Sequence, residues 1–238
     1  MTAPLLKVSG LEAFYGAAQI LFSVEFELAP GEVVALMGRN GAGKTTTLES
    51  IMGLVDRRSG SVDFRGREII GLRPYEIARL GLGFVPEDRR IFTDLTVLEN
   101  LEVGRRDPTS ATQEAWTPDR LFTLFPNLAE ARNRSAGRMS GGEQQMLTIA
   151  RTLMGNPVAI LLDEPSEGIA PIIVDQMIDM IAELKNSGVA ILVSEQNLPF
   201  AATVADRAYV LDHGQIKYSG AIASLLDDEE IRRSYLEL

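Results

Sequence analysis

The chain has 238 residues, 45% of them hydrophobic, enough for one large α/β domain or a core with an inserted lobe. A formal net charge of −10 argues against nucleic-acid binding and against adsorption to anionic lipid, and zero cysteines rule out disulfides and thiolate metal sites. No apolar run approaches the roughly 20 residues of a membrane span and no basic-then-apolar leader opens the chain, so a soluble, intracellular protein is expected, with any membrane connection running through a protein partner.

Leu5 to Val8 and Leu21 to Leu28 read as strands, and Val24-Glu25-Phe26-Glu27-Leu28 alternates with period two as a half-exposed strand does. Between them lies Phe14-Tyr15-Gly16. Taken alone, Tyr15 reads as an ordinary packed aromatic; shortly before a phosphate loop, it is also placed to stack on a nucleotide base.

Val33 to Met37 is a buried strand, and Lys44 through Met52 is a helix. Gly38-Arg39-Asn40-Gly41-Ala42-Gly43-Lys44-Thr45 joins them and fits G-x-x-x-x-G-K-[ST], in which backbone N–H groups wrap a polyphosphate. The glycines let the backbone turn sharply, and the helix N-terminus adds partial positive charge at the same point. Lys44 would reach the β- and γ-phosphates and the Thr45 hydroxyl would bind Mg²⁺. Arg39, Asn40 and Ala42 complete the loop, and Thr46 follows it; all are assigned to the polyphosphate site.

Ser59-Gly60 leads into Ser61 to Phe64, which with Arg65-Gly66 and Arg67 to Ile69 forms a hairpin signal. Pro74 to Leu80 reads as a short helix, and Gly83-Phe84-Val85-Pro86 as a strand ending at a proline. From about Asp94 the chain becomes helix-rich. Thr96-Val97-Leu98-Glu99 is a capping box, and Thr117-Pro118-Asp119 places a cap, a proline and an acid at a helix start. Arg105 to Thr117 reads as a polar loop, and residues 88–155 as a helical lobe inserted between core segments 1–87 and 156–238 of a single domain. Ser140-Gly141-Gly142-Glu143 opens another helix. It too is a capping box, yet two glycines in a first turn also suit close approach of a ligand to the backbone.

Val158 to Leu162 is a continuous apolar run, as a parallel strand covered on both faces should be, and Asp163-Glu164 ends it where open α/β sheets place ligands. Asp163 would hold Mg²⁺ through its water shell, and Glu164 could take a proton from an attacking water; an acid pair after a strand is also a common surface feature. Val174, Met177, Ile178 and Ile181 place one helix face on the sheet, and Asn186-Ser187-Gly188 stops that helix. Val189 to Val193 is a second apolar strand, ending in Ser194-Glu195-Gln196-Asn197, which points to the same crevice. A strand from Arg207 to Leu211, a turn at His213-Gly214, a strand from Gln215 to Tyr218 and a terminal helix complete the chain, with Asp227 to Glu230 as a solvated helix start.

In order and spacing, the phosphate loop, Ser140 to Gln145 and Ile160 to Pro165 resemble the ATP-binding cassette of ABC transporters over nearly the whole chain. Phe84 to Phe92, Pro165 to Pro171 and Ser194 to Asn197 are similar, more narrowly, to LivF-type ATPases of branched-chain amino-acid importers and to the ATPases of urea importers. The resemblance implies an α/β P-loop fold with a mainly parallel core sheet, an N-terminal antiparallel β part and the inserted helical lobe. It implies a subunit on the cytoplasmic side of the membrane that hydrolyses ATP with Mg²⁺, partnered by transmembrane permease subunits, a second ABC ATPase subunit in a homo- or heterodimer and, indirectly, a solute-binding protein, with no nucleic acid. ATP would lie between one subunit's phosphate loop and the other's Ser140, Gly141, Gly142 and Glu143, with Tyr15 stacked on adenine. Glu164 matches the general base. Three residues depart from the family's usual pattern. Glu87 stands where glutamine usually contacts Mg²⁺ and the attacking water, Gln196 replaces the switch histidine, and Ala170 replaces an interfacial aspartate. A nucleotide-dependent clamp without transport is the alternative, against which the single cassette, the absence of basic arms and the acidity count.

Overall fold

The computed structural model describes residues 3–108 and 114–236. Of the polar loop expected over 105–117, residues 109–113 lie outside the described residues. The chain opens with a hairpin, β1 (Leu6–Tyr15) and β2 (Ala18–Leu28), followed by β3 (Val33–Met37) and α1 (Lys44–Ile51). After these come β4 (Arg57–Phe64), β5 (Arg67–Glu68), α2 (Pro74–Arg79) and β6 (Leu82–Val85). Both β1 and β4 run further than their sequence patterns indicate, and Phe14-Tyr15 belongs to β1 itself. The reason is a break in register. The β1–β4 register shifts between Ser9 and Glu12, where a Cβ on Gly60 would stand 2.4 Å from the Gly10 carbonyl oxygen. Two glycines meeting backbone to backbone let the ladder continue through a change of phase that hides the alternation.

Between β6 and β7 (Ala159–Asp163) the chain is helical: α3 (Val97–Gly104), α4 (Pro118–Leu124), α5 (Pro126–Glu130) and α6 (Gly141–Leu153). The α3 start is the expected box, with Thr96 N–H donating to Glu99 at 2.8 Å and Glu99 N–H donating to the Thr96 hydroxyl at 3.2 Å. The remainder comprises α7 (Pro171–Asn186), β8 (Ala190–Glu195), α8 (Leu198–Val204), β9 (Arg207–Asp212), β10 (Gln215–Ala221), α9 (Ile222–Asp227) and α10 (Glu229–Tyr235). The expected terminal helix is thus two short ones, broken where Asp228 leaves helical geometry to cap α10.

A four-stranded antiparallel sheet runs β2-β1-β4-β5, and a six-stranded sheet runs β10-β9-β3-β8-β7-β6, parallel except for its β10 edge. The central strands of the larger sheet, β3, β8 and β7, are buried on both faces. Val33, Ala35 and Met37 of β3, Ile160 and Leu162 of β7, and Ile191 and Val193 of β8 join the core formed with α3, α6 and α7. Their alternate neighbours Val34, Leu36, Leu161 and Leu192 join the antiparallel sheet and α1. Two-sided burial is why these strands read as unbroken apolar runs. The expected P-loop α/β architecture is present, and the C-terminal ends of β3, β8, β7 and β6 lie side by side at one edge.

Candidate active site

Strand register brings the segments at that edge together. Met37 stands opposite Glu195 and Asp163 opposite Ser194, so the phosphate loop, the acid pair and the Ser194–Asn197 segment are brought together. Gly43 enters α1 with φ 107, a conformation that a side chain would strain. Lys44 is buried, and its three ammonium protons have three acceptors: Gly38 O at 2.7 Å, Arg39 O at 3.0 Å and Glu164 Oε1 at 3.1 Å. Asp163 Oδ1 accepts from the Ser194 hydroxyl at 2.6 Å and the Thr45 hydroxyl at 3.2 Å, while its Oδ2 is buried with no hydrogen-bond partner.

Glu164 takes φ 44, a left-handed conformation costly for a residue with a Cβ. Its N–H is held by Ser194, through both carbonyl and hydroxyl oxygens at 3.1 Å. The Gln196 amide donates to Glu164 Oε2 at 2.9 Å and to Asn40 Oδ1 at 2.6 Å, bridging acid and loop. A cavity of about 310 Å³ is lined by Asn40, Lys44, Thr45, Thr46, Glu87 and Glu164, among others.

The electrostatics follow from this crowding of carboxylates. Burial pushes Asp163 above the ordinary aspartate value against its two hydroxyl donors, and the charges of Glu164 and Glu87 add to the rise. Burial alone would raise Glu164 as well, but hydrogen bonds from Glu167 and Gln196 and the charge of Lys44 outweigh it and hold that carboxyl low. Its neighbour carries the consequence: a hydrogen bond to Glu164, burial and the surrounding negative charge push Glu167 up to about 7.

The remaining sequence-selected residues are not among those that line this cavity. Tyr15 is 50% exposed, and its hydroxyl donates to Glu49 at 2.9 Å. Arg39 donates to the Arg233 carbonyl at 3.3 Å, and Ala42 is buried with its carbonyl accepting from Gly214 N–H at 2.9 Å. Ser140, Gly141, Gly142 and Glu143 do not line the phosphate-loop cavity. Ser140 and Glu143 form a capping box, and Glu143 pairs with Arg134 at 2.6 Å. A Cβ on Gly141 would stand 2.7 Å from an Arg89 guanidinium nitrogen, and one on Gly142 3.0 Å from Ile173. Close approach is therefore already made by side chains of this chain.

Ser194, Glu167 and Arg89 are contacts that motif spacing did not single out. Ser194 had a signal, a hydroxyl closing an apolar strand; Glu167 and Arg89 appeared only as members of the Pro165–Pro171 and Phe84–Phe92 segments with no role of their own, because one meets Glu164 across a strained turn and the other meets Gly141 far along the chain.

The sequence model of a family described as ABC transporter matches residues 21–167. The chain is 43% identical to the high-affinity branched-chain amino acid transport ATP-binding protein BraG of Pseudomonas aeruginosa, across 98% of this chain and 99% of that one. It is 35% identical to the lipopolysaccharide export system ATP-binding protein LptB of Haemophilus influenzae, across 98% and 97%. A solved ATP-binding cassette of an ABC transporter in its ADP conformation superposes with a TM-score of 0.80 at 27% identity, covering 98% of each chain.

Proposed function

The chain belongs to the ABC transporter family as an ATP-binding, ATP-hydrolysing cassette, and we propose that it energises an importer of branched-chain amino acids. The observation that carries the importer reading is the likeness to BraG over nearly the full length of both chains. The chemical reading rests on the meeting of Lys44, Thr45, Asp163, Glu164 and Gln196 at one sheet edge.

In this reading the loop from Gly38 to Thr45 binds the polyphosphate through its backbone N–H groups, and Thr46 follows at the α1 start. Lys44 exchanges its carbonyl acceptors for phosphate oxygens. That exchange also loosens its hold on Glu164, whose carboxylate takes the proton of the attacking water as general base. Gln196 keeps that carboxylate in register with the loop through Asn40, and as an amide it hydrogen-bonds without titrating. A divalent cation fits beside Thr45 and Asp163: the unpartnered Oδ2 of Asp163 is a buried acceptor in need of a positive charge or a water bound to one. Among the described residues no group of three or more His, Cys, Asp or Glu side chains could hold a metal alone, which suits Mg²⁺ completed by phosphate and water, with Glu87 at the rim. When bound, Mg²⁺ neutralises charge on the β- and γ-phosphates.

Ser140, Gly141, Gly142 and Glu143 would serve the ATP of a second cassette, with Tyr15 against the base. Residues 88–155 form the lobe inserted between core segments 1–87 and 156–238. A groove of about 460 Å³, with Tyr75, Phe92 and Val103 exposed at its walls, supports docking of a transmembrane permease subunit between lobe and core. Among the described residues no helix is long and apolar enough to cross a membrane, so attachment at the cytoplasmic face would come through that partner. A solute-binding protein would act at one remove.

The test is labelled leucine uptake in cells lacking the gene, complemented with wild type or Glu164→Gln. Rescue by wild type alone supports both the importer and the general base. Uptake that never depended on the gene, in cells shown to have no redundant importer, overturns the solute. The likeness to LptB favours a second reading, an export ATPase, which predicts a loss of surface lipopolysaccharide in the same deletion; urea uptake tests the remaining importer class.

A further inference from the structure

We propose that Glu195 is a positioning residue for hydrolysis, its buried carboxylate tying the turn that carries Glu164 to the turn that carries Gln196. The inference rests on Glu164 being the general base. Glu195 closes β8 and is only 2% exposed. Its Oε1 accepts from Ser166 N–H at 3.1 Å, with a further hydrogen bond from the Ser166 side chain, and its Oε2 accepts from Asn197 N–H at 3.3 Å. Its backbone carbonyl accepts from Gly38 N–H at 3.3 Å, at the mouth of the phosphate loop. One residue thus touches three segments of the site, yet neither its carboxylate nor its backbone has a part in the chemistry proposed above.

Two features point to positioning rather than packing. Burying a carboxylate is unfavourable, and an apolar side chain would fill the same space without that cost. A carboxylate is suited to what is present: N–H groups from two different loops, each needing an oxygen. The second feature is the strain at Glu164. A non-glycine residue at φ 44 persists only where its surroundings over-determine it. Consecutive residues of β8 supply that restraint. Ser194 holds the N–H of Glu164, and Glu195 holds the N–H of Ser166 two residues further on. On the other side, Glu195 ends the strand before Gln196 and binds the N–H of the residue after it. The turns that carry Glu164 and Gln196, which contact one another, are thus tied to the same carboxylate, through Ser166 on one side and Asn197 on the other.

The experiment measures kcat and KM for ATP, ATP Kd and thermal stability for Glu195→Gln, Glu195→Ala, Glu164→Gln and the double variant Glu164→Gln/Glu195→Gln, in the assembled transporter. Glu195→Gln keeps one oxygen and presents an NH2 to the other N–H, so kcat is expected to fall about tenfold with KM and Kd within about twofold; Glu195→Ala is expected to lose about 100-fold, the scale of a misplaced catalytic group. The double variant should be no more than about twofold slower than Glu164→Gln, because the remaining rate no longer depends on where the residue 164 side chain is held. The proposal is overturned if Glu195→Gln turns over at the wild-type rate, if KM and Kd rise in step with the loss of kcat, or if the substitution slows Glu164→Gln by the full single-variant factor. Failure of the isosteric Glu195→Gln to fold would assign the residue to stability and overturn positioning as well. Near-normal turnover by Glu164→Gln itself removes the general-base reading, whereas a dead Glu164→Gln beside an unaffected Glu195→Gln removes only the role proposed for Glu195.

Discussion

The phosphate loop and the start of α6 are both glycine-rich entries to a helix, but the chain completes only the first. Around the loop, Lys44 has an acceptor for each proton, Asp163 receives Thr45 and Ser194 on one oxygen and keeps the other unpartnered, and Gln196 holds Glu164 to the loop through Asn40. At α6 the corresponding positions are occupied from within: Ser140 and Glu143 cap each other, Arg89 lies on Gly141 and Ile173 on Gly142. One region is a site in a single chain. The other is, in this chain, a capped helix start packed against its own side chains, and a ligand there remains part of the proposal of a second cassette.

The largest way to break this contrast is Lys44→Ala. It leaves Glu164 buried without its cation, and removing one member of a buried pair costs about 3–5 kcal/mol; denaturant unfolding should show the loss and an ATP titration a fall in affinity of at least about 100-fold. Unchanged affinity would mean that the lysine does not read phosphate.

Ser140→Ala should act differently. Loss of the cap costs about 1 kcal/mol, while ATP affinity of the isolated subunit stays at the wild-type value and turnover of the assembly falls. A weakened Kd in the isolated subunit would place Ser140 in its own chain's site and end the comparison.

A smaller effect concerns pH. Glu167, raised to about 7 in the folded chain against the ordinary glutamate value, favours folding while it is protonated. That contribution is complete below the unfolded value and disappears as pH rises through about 7. Thermal melts between pH 5.5 and 8.5 should therefore show stability declining with pH from this group, and Glu167→Gln should flatten the decline. An identical slope in the variant would remove Glu167 as its source.

Smallest is Tyr15→Ala, expected to weaken nucleotide binding by about 1 kcal/mol through lost stacking. Because stacking tolerates any base, ATP and GTP should weaken alike; a loss confined to ATP would point to a polar contact with adenine instead.

Much of the architecture was legible because it is local or periodic. The strand, glycines, Lys-Thr and helix of the phosphate loop follow one another without a break, the capping boxes at Thr96 and Ser140 span four residues each, and β7 and β8 betray burial on two faces by their unbroken apolar runs. Where two segments distant in sequence share one geometry, spacing carries no such signal. The continuation of β1 past Gly10 depends on where Gly60 lies. The orphaned oxygen of Asp163 depends on Ser194 and Thr45 both choosing the other one. The same holds for Glu195, which in sequence is one polar residue among four at the end of a strand. The family, the phosphate-binding loop and the residue types available for chemistry are written in short spacings along the chain and need no fold to be read. Which carboxylate pairs with Lys44, which keeps an unpartnered oxygen and which receives N–H groups from two turns emerged from the folded arrangement alone, because hydrogen-bond partners are allotted where strands about 30 to 120 residues apart come into register.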